Sequence, residues 1–310
     1  MSLPELTKTA LGELRMQMLG VQVLLGFQFQ SLFQQRFVEL TRGGRIVDAA
    51  GLLLLLIALV VLISIPCRHR IVEKGEATPQ LLKVTRQAAN LALAPLAGGL
   101  ACDVWVSIRI DFGPTQSTLM AVVAGLVATL AWFALPRLLR STPTAQDPPM
   151  HPQATPLHAK IEQMLTEARV VLPGSQALLG FQMVVMLTPA FRELPPAARD
   201  VHAAALLCNA LAIVLLICPA AVHRIAFRGE DNPRFHGIGS QLIGAALAPL
   251  AVSLACETYV GLLKLFGDAR NAALAGCLVL LCMLAVWYLL PLGIRKRVQN
   301  LPFAPDRAQR

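Results

Sequence analysis

The chain has 310 residues, of which 55% are hydrophobic and 15% are charged, and its formal net charge is +9. A soluble globular protein carries about 25% charged residues, so this composition argues against a soluble chain. The apolar residues form blocks of about 20 residues, the length of a helix that crosses the hydrocarbon core of a bilayer. The sequence therefore predicts an all-α integral membrane protein.

Eight apolar blocks are long enough to cross a membrane. The predicted spans are Met18–Leu40, Ile46–Pro66, Gln87–Ile108, Thr118–Leu138, Val171–Phe191, Asp200–Val222, Ile238–Leu263 and Ala272–Ile294. With these spans, 19 of the 27 lysines and arginines lie on the side of both termini and 8 lie on the other side. Because positive residues mark the cytoplasmic side, we expect a multi-pass protein of the bacterial inner membrane with both termini in the cytoplasm.

A short amphipathic stretch precedes the first and the fifth predicted span. Apolar residues recur there at three- and four-residue spacing, at Leu3, Leu6, Ala10 and Leu14 and again at Leu157, Ile161, Leu165 and Ala168. This spacing is typical of a helix with one apolar face. It predicts two short helices that lie in the membrane interface.

The second half of the chain repeats the first at an offset of 154 residues. The segment ELRMQMLGVQVLLGFQ, which begins at Glu13, aligns with EARVVLPGSQALLGFQ, which begins at Glu167. Four spans per copy is an even number, so both copies enter and leave on the same side and are parallel, whereas inverted repeats need an odd number. The predicted units are four-span repeats at 1–140 and 161–298, a polar proline-rich linker at 141–160 and a tail at 299–310.

The pattern E-x-R…G-x-Q-x-L-x-G-F, followed by His-Arg after a proline-containing helix end, resembles an uncharacterised bacterial family, domain-of-unknown-function family 6328. The resemblance covers nearly the whole chain apart from the linker and tails. It implies four-span membrane proteins about half this size, with no established activity, cofactor or catalytic residue. This chain departs from it by fusing two copies; if single-copy relatives pair as dimers, the chain is such a dimer made covalent.

Two His-Arg motifs follow the second and sixth predicted spans, at His69-Arg70 and His223-Arg224. The simpler interpretation is that they bind anionic lipid headgroups, and the alternative is a pH-responsive pair, because imidazole titrates near neutrality. The two arginines also lie at the depth of two acids. We therefore predict the contacts Glu13–Arg70 and Glu167–Arg224, each within one repeat.

Asp103 and Glu257 are the acids of the third and seventh spans, and they are the candidate ion or proton site. Asp103 follows Pro95 by eight residues, about 12 Å of helix, which places its carboxylate near the outer interface. A hydrated interfacial acid and a buried ion site both remain open. Pro95 and Pro249 are predicted helix breaks, which pack helices or build a transport site.

Small and amide residues on the first and fifth spans predict the interface between the two repeats. Glycine lets helices approach closely and glutamine bonds across them. The predicted interface residues are Gly20, Gln22, Gly26, Gln28, Gly174, Gln176, Gly180 and Gln182.

No motif of an enzyme, metal site or cofactor site is present, and no basic-aromatic patch indicates nucleic acid. We expect membrane lipids as partners, with a homo-oligomer or a further membrane protein as additional possibilities. Two functions remain open. One is a structural or regulatory membrane component, and the other is a transporter or channel for a small ion, driven by protons or sodium, with a path between the first and fifth spans.

Overall fold

The computed structural model describes residues 3–138 and 155–299, and these residues form eight long helices without a strand. The first four helices, called copy one, are α1 (Leu3–Ser31), α2 (Arg42–Ile71), α3 (Pro79–Arg109) and α4 (Pro114–Leu138). Copy two has α5 (Leu157–Met186), α6 (Pro196–Ile225), α7 (Pro233–Phe266) and α8, which joins Ala269–Leu284, a π-helical turn at Ala285–Leu289 and Leu290–Gln299. Short turns of helix, Gln35–Glu39 and Pro189–Arg192, follow α1 and α5.

Seven of the described helices, α2 to α8, are long and apolar enough to cross a membrane. Many large apolar side chains on them face outward, among them Leu126 and Leu278. A soluble protein rarely exposes apolar surface on this scale, whereas lipid covers it at no cost. The chain is therefore a multi-pass membrane protein.

The predicted interfacial helices do not form separate elements. Helix α1 runs without a break from Leu3, and α5 runs without a break from Leu157. Ala10 and Leu14 of the predicted apolar face are buried, and Leu14 lies in the main core together with Leu11 and with Ile161 of α5. The prediction of a helix here was therefore correct. The predicted location in the membrane interface was wrong, because the apolar face of the helix packs against another helix instead of lipid.

Two further predicted boundaries differ from the structure. The first span was expected to reach Leu40, but α1 ends at Ser31 and the chain then turns through Gln35–Glu39. The predicted linker falls mostly on residues outside the described ranges, and its last residues belong to α5.

Pro95 and Pro249 do not break α3 or α7, which continue on both sides of each proline. A proline removes one backbone hydrogen bond, and the neighbouring bonds hold the helix.

The loops after α2 and α6 have the same conformation in both copies. Lys74 and Gly75 have positive φ angles, and so do Arg228 and Gly229, which lie 154 positions later. A left-handed pair of this kind reverses the chain directly after a helix. The repeated sequence thus produces the same turn at these two places.

Helices α1 and α5 pack side by side in the same direction. Lys8 Nζ lies 2.5 Å from Glu162 Oε1, and near the other end the rings of Phe27 and Phe181 lie 4.4 Å apart between centroids. Each of these pairs joins residues 154 positions apart, so equivalent positions meet at both ends. Antiparallel helices could not make both contacts.

Candidate functional site

In copy two, three helices bring a polar cluster into the protein interior. Gln182 of α5, His202 of α6 and Glu257 of α7 are all 2% exposed or less. His202 Nδ1 lies 3.0 Å from Glu257 Oε1, and His202 Nε2 lies 3.1 Å from the carbonyl oxygen of Gln182. We call these residues the copy-two cluster. A histidine–carboxylate pair in this position is shielded from water and from lipid.

Both the nitrogen and the oxygen of the Gln182 side-chain amide form hydrogen bonds. Its nitrogen donates to Ser253 Oγ at 3.1 Å and to Glu257 Oε1 at 2.9 Å. Its oxygen accepts from Asn209 Nδ2 at 3.0 Å. A buried amide with all its groups paired stabilises the packing of the three helices instead of opposing it. The amide of Gln182 is therefore fully paired, whereas the buried Oδ1 of its partner Asn209 accepts no hydrogen bond.

In copy one, the same positions hold Gln28, Asp48 and Asp103, which we call the copy-one cluster. Gln28 Nε2 donates to the carbonyl oxygen of Asp48 at 2.7 Å. A Cβ on Gly51 would lie 2.9 Å from Gln28 Nε2 and 3.4 Å from Asp103 Oδ1, so all these groups surround one point of α2. Only a glycine leaves them room there.

Two buried oxygens of the copy-one cluster have no hydrogen-bond partner. They are Asp48 Oδ2 and Gln28 Oε1, on side chains that are 2% and 4% exposed. In the described part of the chain, Asp48 Oδ2 is the one buried carboxylate oxygen without a hydrogen-bond partner. Both atoms are acceptors, so only a proton donor or a cation can satisfy them.

A cavity of about 380 Å³ reaches this cluster, and Asp48, Gln28 and Asp103 form its inner wall. Gln34 and Arg36 line it toward the turn after α1. Arg36 is the cationic side chain of the lining, and it is engaged with Asp111 at 2.7 Å. The cavity therefore connects the buried acids with the end of the bundle that carries this turn.

The sequence predicted Asp103 and Glu257 as the candidate ion or proton site, and the structure gives them different surroundings. Asp103 is half-buried beside the cavity, whereas Glu257 is buried among helices. Of the two alternatives left open by the sequence, the buried acid therefore describes Glu257. Their partners Asp48 and His202 were not predicted, although both are titratable residues inside an apolar helix.

At the opposite end, Glu167 of α5 joins the two copies. It pairs with both His69 and Arg70 at the end of α2, and the side chains of all three are 7% exposed or less. Arg70 also donates to the carbonyl oxygen of Ser240 on α7 at 3.3 Å. The predicted contacts Glu13–Arg70 and Glu167–Arg224 are therefore wrong, because Arg70 takes its acid from the other copy.

The equivalent contact with the two copies exchanged, between Glu13 and the motif His223-Arg224, is absent from the described residues. Glu13 and Arg224 are exposed, and His223 stacks on Phe235 with ring centroids 4.4 Å apart. The buried side chains of His69 and Arg70 bind Glu167 and not the lipid headgroups that the simpler interpretation assigned to them. The end of the bundle is asymmetric although the sequence motifs repeat.

A second contact between the copies lies next to this cluster, in the loop after α2. Lys160 and the backbone nitrogen of Thr155 both bond to the carboxylate of Glu76. Partial burial would raise the pKa of Glu76, but these bonds outweigh it and hold that pKa below its ordinary value. The carboxylate therefore stays ionised and keeps the start of α5 on this loop.

The predicted interface residues fall into three groups. Gly26, Gly174 and Gln22 lie between α1 and α5, where a Cβ on either glycine would overlap Phe181 or Gln22. Gly20 and Gly180 have open space around them, and Gln176 is exposed. Gln28 and Gln182 turn into the two polar clusters of their own copies, as described above.

Comparison with known proteins gives one family. No curated protein and no solved structure matches the chain. The model of a family of unknown function, DUF6328, matches residues 7–136 and again residues 153–291. Each match covers the four helices of one copy almost completely. The chain therefore belongs to the family DUF6328 and carries the family's unit twice in tandem.

Proposed function

We propose that the chain crosses the membrane eight times, as two parallel four-helix copies with both termini in the cytoplasm. Helix α1 is the additional span. It is too polar to be recognised by hydropathy, but it packs in parallel along α5, which is apolar enough to cross. Its polar residues Gln22 and Gln28 are buried against other helices, where lipid does not reach them.

Exposed residues at equivalent positions test this arrangement. In a chain without its native cysteines, Glu39→Cys and Glu193→Cys are expected to react with a membrane-impermeant maleimide from outside intact cells. Lys74→Cys and Arg228→Cys are expected to react only after the cells are opened. Labelling of Glu39→Cys and Glu193→Cys from opposite sides would refute the parallel copies, and labelling of Glu39→Cys from the cytoplasm would refute the span α1.

We further propose that the protein transports a small cation, a proton or a monovalent metal ion, which binds at the copy-one cluster. The observation that carries this proposal is the pair of buried, unpartnered oxygens, Asp48 Oδ2 and Gln28 Oε1, on a cavity that also contains Asp103. Leaving such acceptors empty inside a membrane protein costs several kcal/mol, by order of magnitude, and a cation removes that cost.

The charges around the cavity support this proposal. Two carboxylates share the cavity with a single cationic side chain, and that side chain, Arg36, is held by Asp111 at the exposed end. Structural buried acids are normally paired, as Glu167 is with His69 and Arg70. The copy-one cluster lacks such a partner, and it has an access route instead.

Flux into liposomes tests the proposal. Liposomes that contain the purified protein are expected to dissipate an imposed gradient of protons, of sodium or of potassium, each measured separately. Asp48→Asn removes the charge with little change of shape, so flux is expected to fall to that of protein-free liposomes. The ion whose gradient is dissipated identifies the cargo.

The matched control makes the same chemical change elsewhere. Asp268 caps the start of α8, where its side chain accepts from the backbone nitrogens of Arg270 and Asn271. Asparagine caps a helix equally well, so Asp268→Asn is expected to transport like the wild type. Absence of flux for every tested ion in the folded wild-type protein would overturn the proposed function.

A further inference from the structure

The two polar clusters occupy equivalent positions but carry different charges. At an offset of 154 residues, Asp48 corresponds to His202 and Asp103 corresponds to Glu257. We infer that the imidazole of His202 provides, inside copy two, the positive charge that copy one takes from a bound cation. The chain then has one cation site, in copy one, and this inference rests on the proposed function.

Charge balance is the first argument. His202 and Glu257 need one proton between them, and in either arrangement of that proton the pair is neutral. Asp48 and Asp103 have no basic neighbour of this kind, and with one shared proton they still carry a negative charge. A charge left alone in a low-dielectric interior is costly, so the copy-one cluster takes up a second proton or a metal cation, whereas the copy-two cluster does not.

Hydrogen bonding is the second argument. Gln182 has partners for its oxygen and for its nitrogen, supplied by Asn209, Ser253 and Glu257. The equivalent amide in copy one, Gln28, has a free buried oxygen. Copy two also has a buried oxygen that accepts no hydrogen bond, Asn209 Oδ1, but it belongs to a neutral amide, whereas copy one has a carboxylate oxygen in that state, Asp48 Oδ2. A cation would therefore have to displace the bonds of Gln182 in copy two, but it would supply the missing partner of a carboxylate in copy one.

The residues around the clusters explain this difference. Leu55 stands where copy two has Asn209, and Gly99 stands where copy two has Ser253. A Cβ on Gly99 would lie 2.7 Å from Leu55 Cδ2, so these two positions pack tightly and offer no side-chain polar atom. Copy one thus keeps its amide oxygen free, and copy two uses its own side chains to fill the same location.

Exchange of the charges tests the inference in the liposome assay. Asp48→His gives copy one the histidine–acid pair of copy two, and flux is expected to be lost although a titratable side chain remains. The double variant His202→Gln with Glu257→Gln removes the pair of copy two without leaving an unpaired charge. It is expected to transport at the wild-type rate, and gel filtration shows whether it is folded.

The outcomes separate the two proposals. Loss of flux in a folded His202→Gln/Glu257→Gln variant would show that copy two takes part, which overturns the single site and leaves cation transport intact. Retained flux in Asp48→His would likewise overturn the inference, because a built-in cation would then not block the site. If the wild-type protein itself dissipates no gradient, the proposed function fails and the single site fails with it.

Discussion

Glu167→Gln is expected to lower the free energy of unfolding by about 3–5 kcal/mol, the usual result of removing one partner from a buried charge pair. The glutamine leaves the guanidinium of Arg70 without a counter-charge and removes the carboxylate partner of His69 between the two copies. The measurement is the thermal unfolding midpoint of the purified chain in detergent, where a decrease of several degrees is expected.

The repeat supplies the control for this experiment. Glu13 occupies the position of Glu167 in copy one, but it is exposed on α1. Glu13→Gln is therefore expected to change stability by less than about 0.5 kcal/mol, as surface substitutions do. Equal melting temperatures for Glu167→Gln and Glu13→Gln would contradict the buried contact between the copies.

Gly174→Ala is expected to destabilise the packing of α5 on α1 by about 1–3 kcal/mol, the range for an overpacked core. The new Cβ would lie 1.6 Å from Gln22 Oε1 and 2.5 Å from Gln22 Cβ, so the side chain of Gln22 cannot simply swing away. This clash outweighs the gain of about 0.5–1 kcal/mol that alanine brings to a helix. Thermal unfolding in detergent again provides the measurement.

Gly20 is the equivalent residue of copy one, and nothing lies within 4 Å of a Cβ added there. Gly20→Ala should keep only the helical gain and raise the melting temperature. Opposite signs at Gly174 and Gly20 are therefore the expected pattern. A stabilised Gly174→Ala protein would mean that α1 and α5 are farther apart than in the structure.

The sequence was sufficient for the duplication and for the position of the helices. Apolar blocks located the central parts of α2, α3 and α6, because hydropathy is a local signal, but each of these helices begins several residues before its predicted span. What packs against a helix is determined by residues that are distant in the sequence. The stretch that includes Leu11 and Leu14 has the same amphipathic pattern whether its apolar face covers lipid or α5, so its burial could not be predicted.

Contacts between residues of the two copies could also not be predicted from the sequence. Glu167 was assigned to Arg224 because both belong to copy two, yet it binds His69 and Arg70 of copy one. Alignment shows which residues are equivalent, but it does not show whether equivalent residues pair within a copy or between copies. That choice depends on how α2 packs against α5.

The residues of the proposed cation site could have been predicted more completely from the sequence. Asp103 and Glu257 were identified as intramembrane acids, whereas Asp48 and His202 were overlooked near the starts of α2 and α6. Comparison of titratable residues at the 154-residue offset would have paired Asp48 with His202. The free oxygen of Gln28 depends on side-chain geometry, so no sequence pattern reveals it.

The contact between Lys8 and Glu162 shows what covalent fusion permits. When two identical subunits associate, a side chain on the symmetry axis meets its own twin, and a charge there repels itself. After gene duplication the two positions evolve separately, and here they have acquired opposite signs. Both side chains are about half exposed, so the attraction contributes only about 0.2–1 kcal/mol. Its effect is on which halves pair: two copies of the first half would bring two lysines together and two copies of the second half two glutamates, whereas the first half with the second brings opposite charges together.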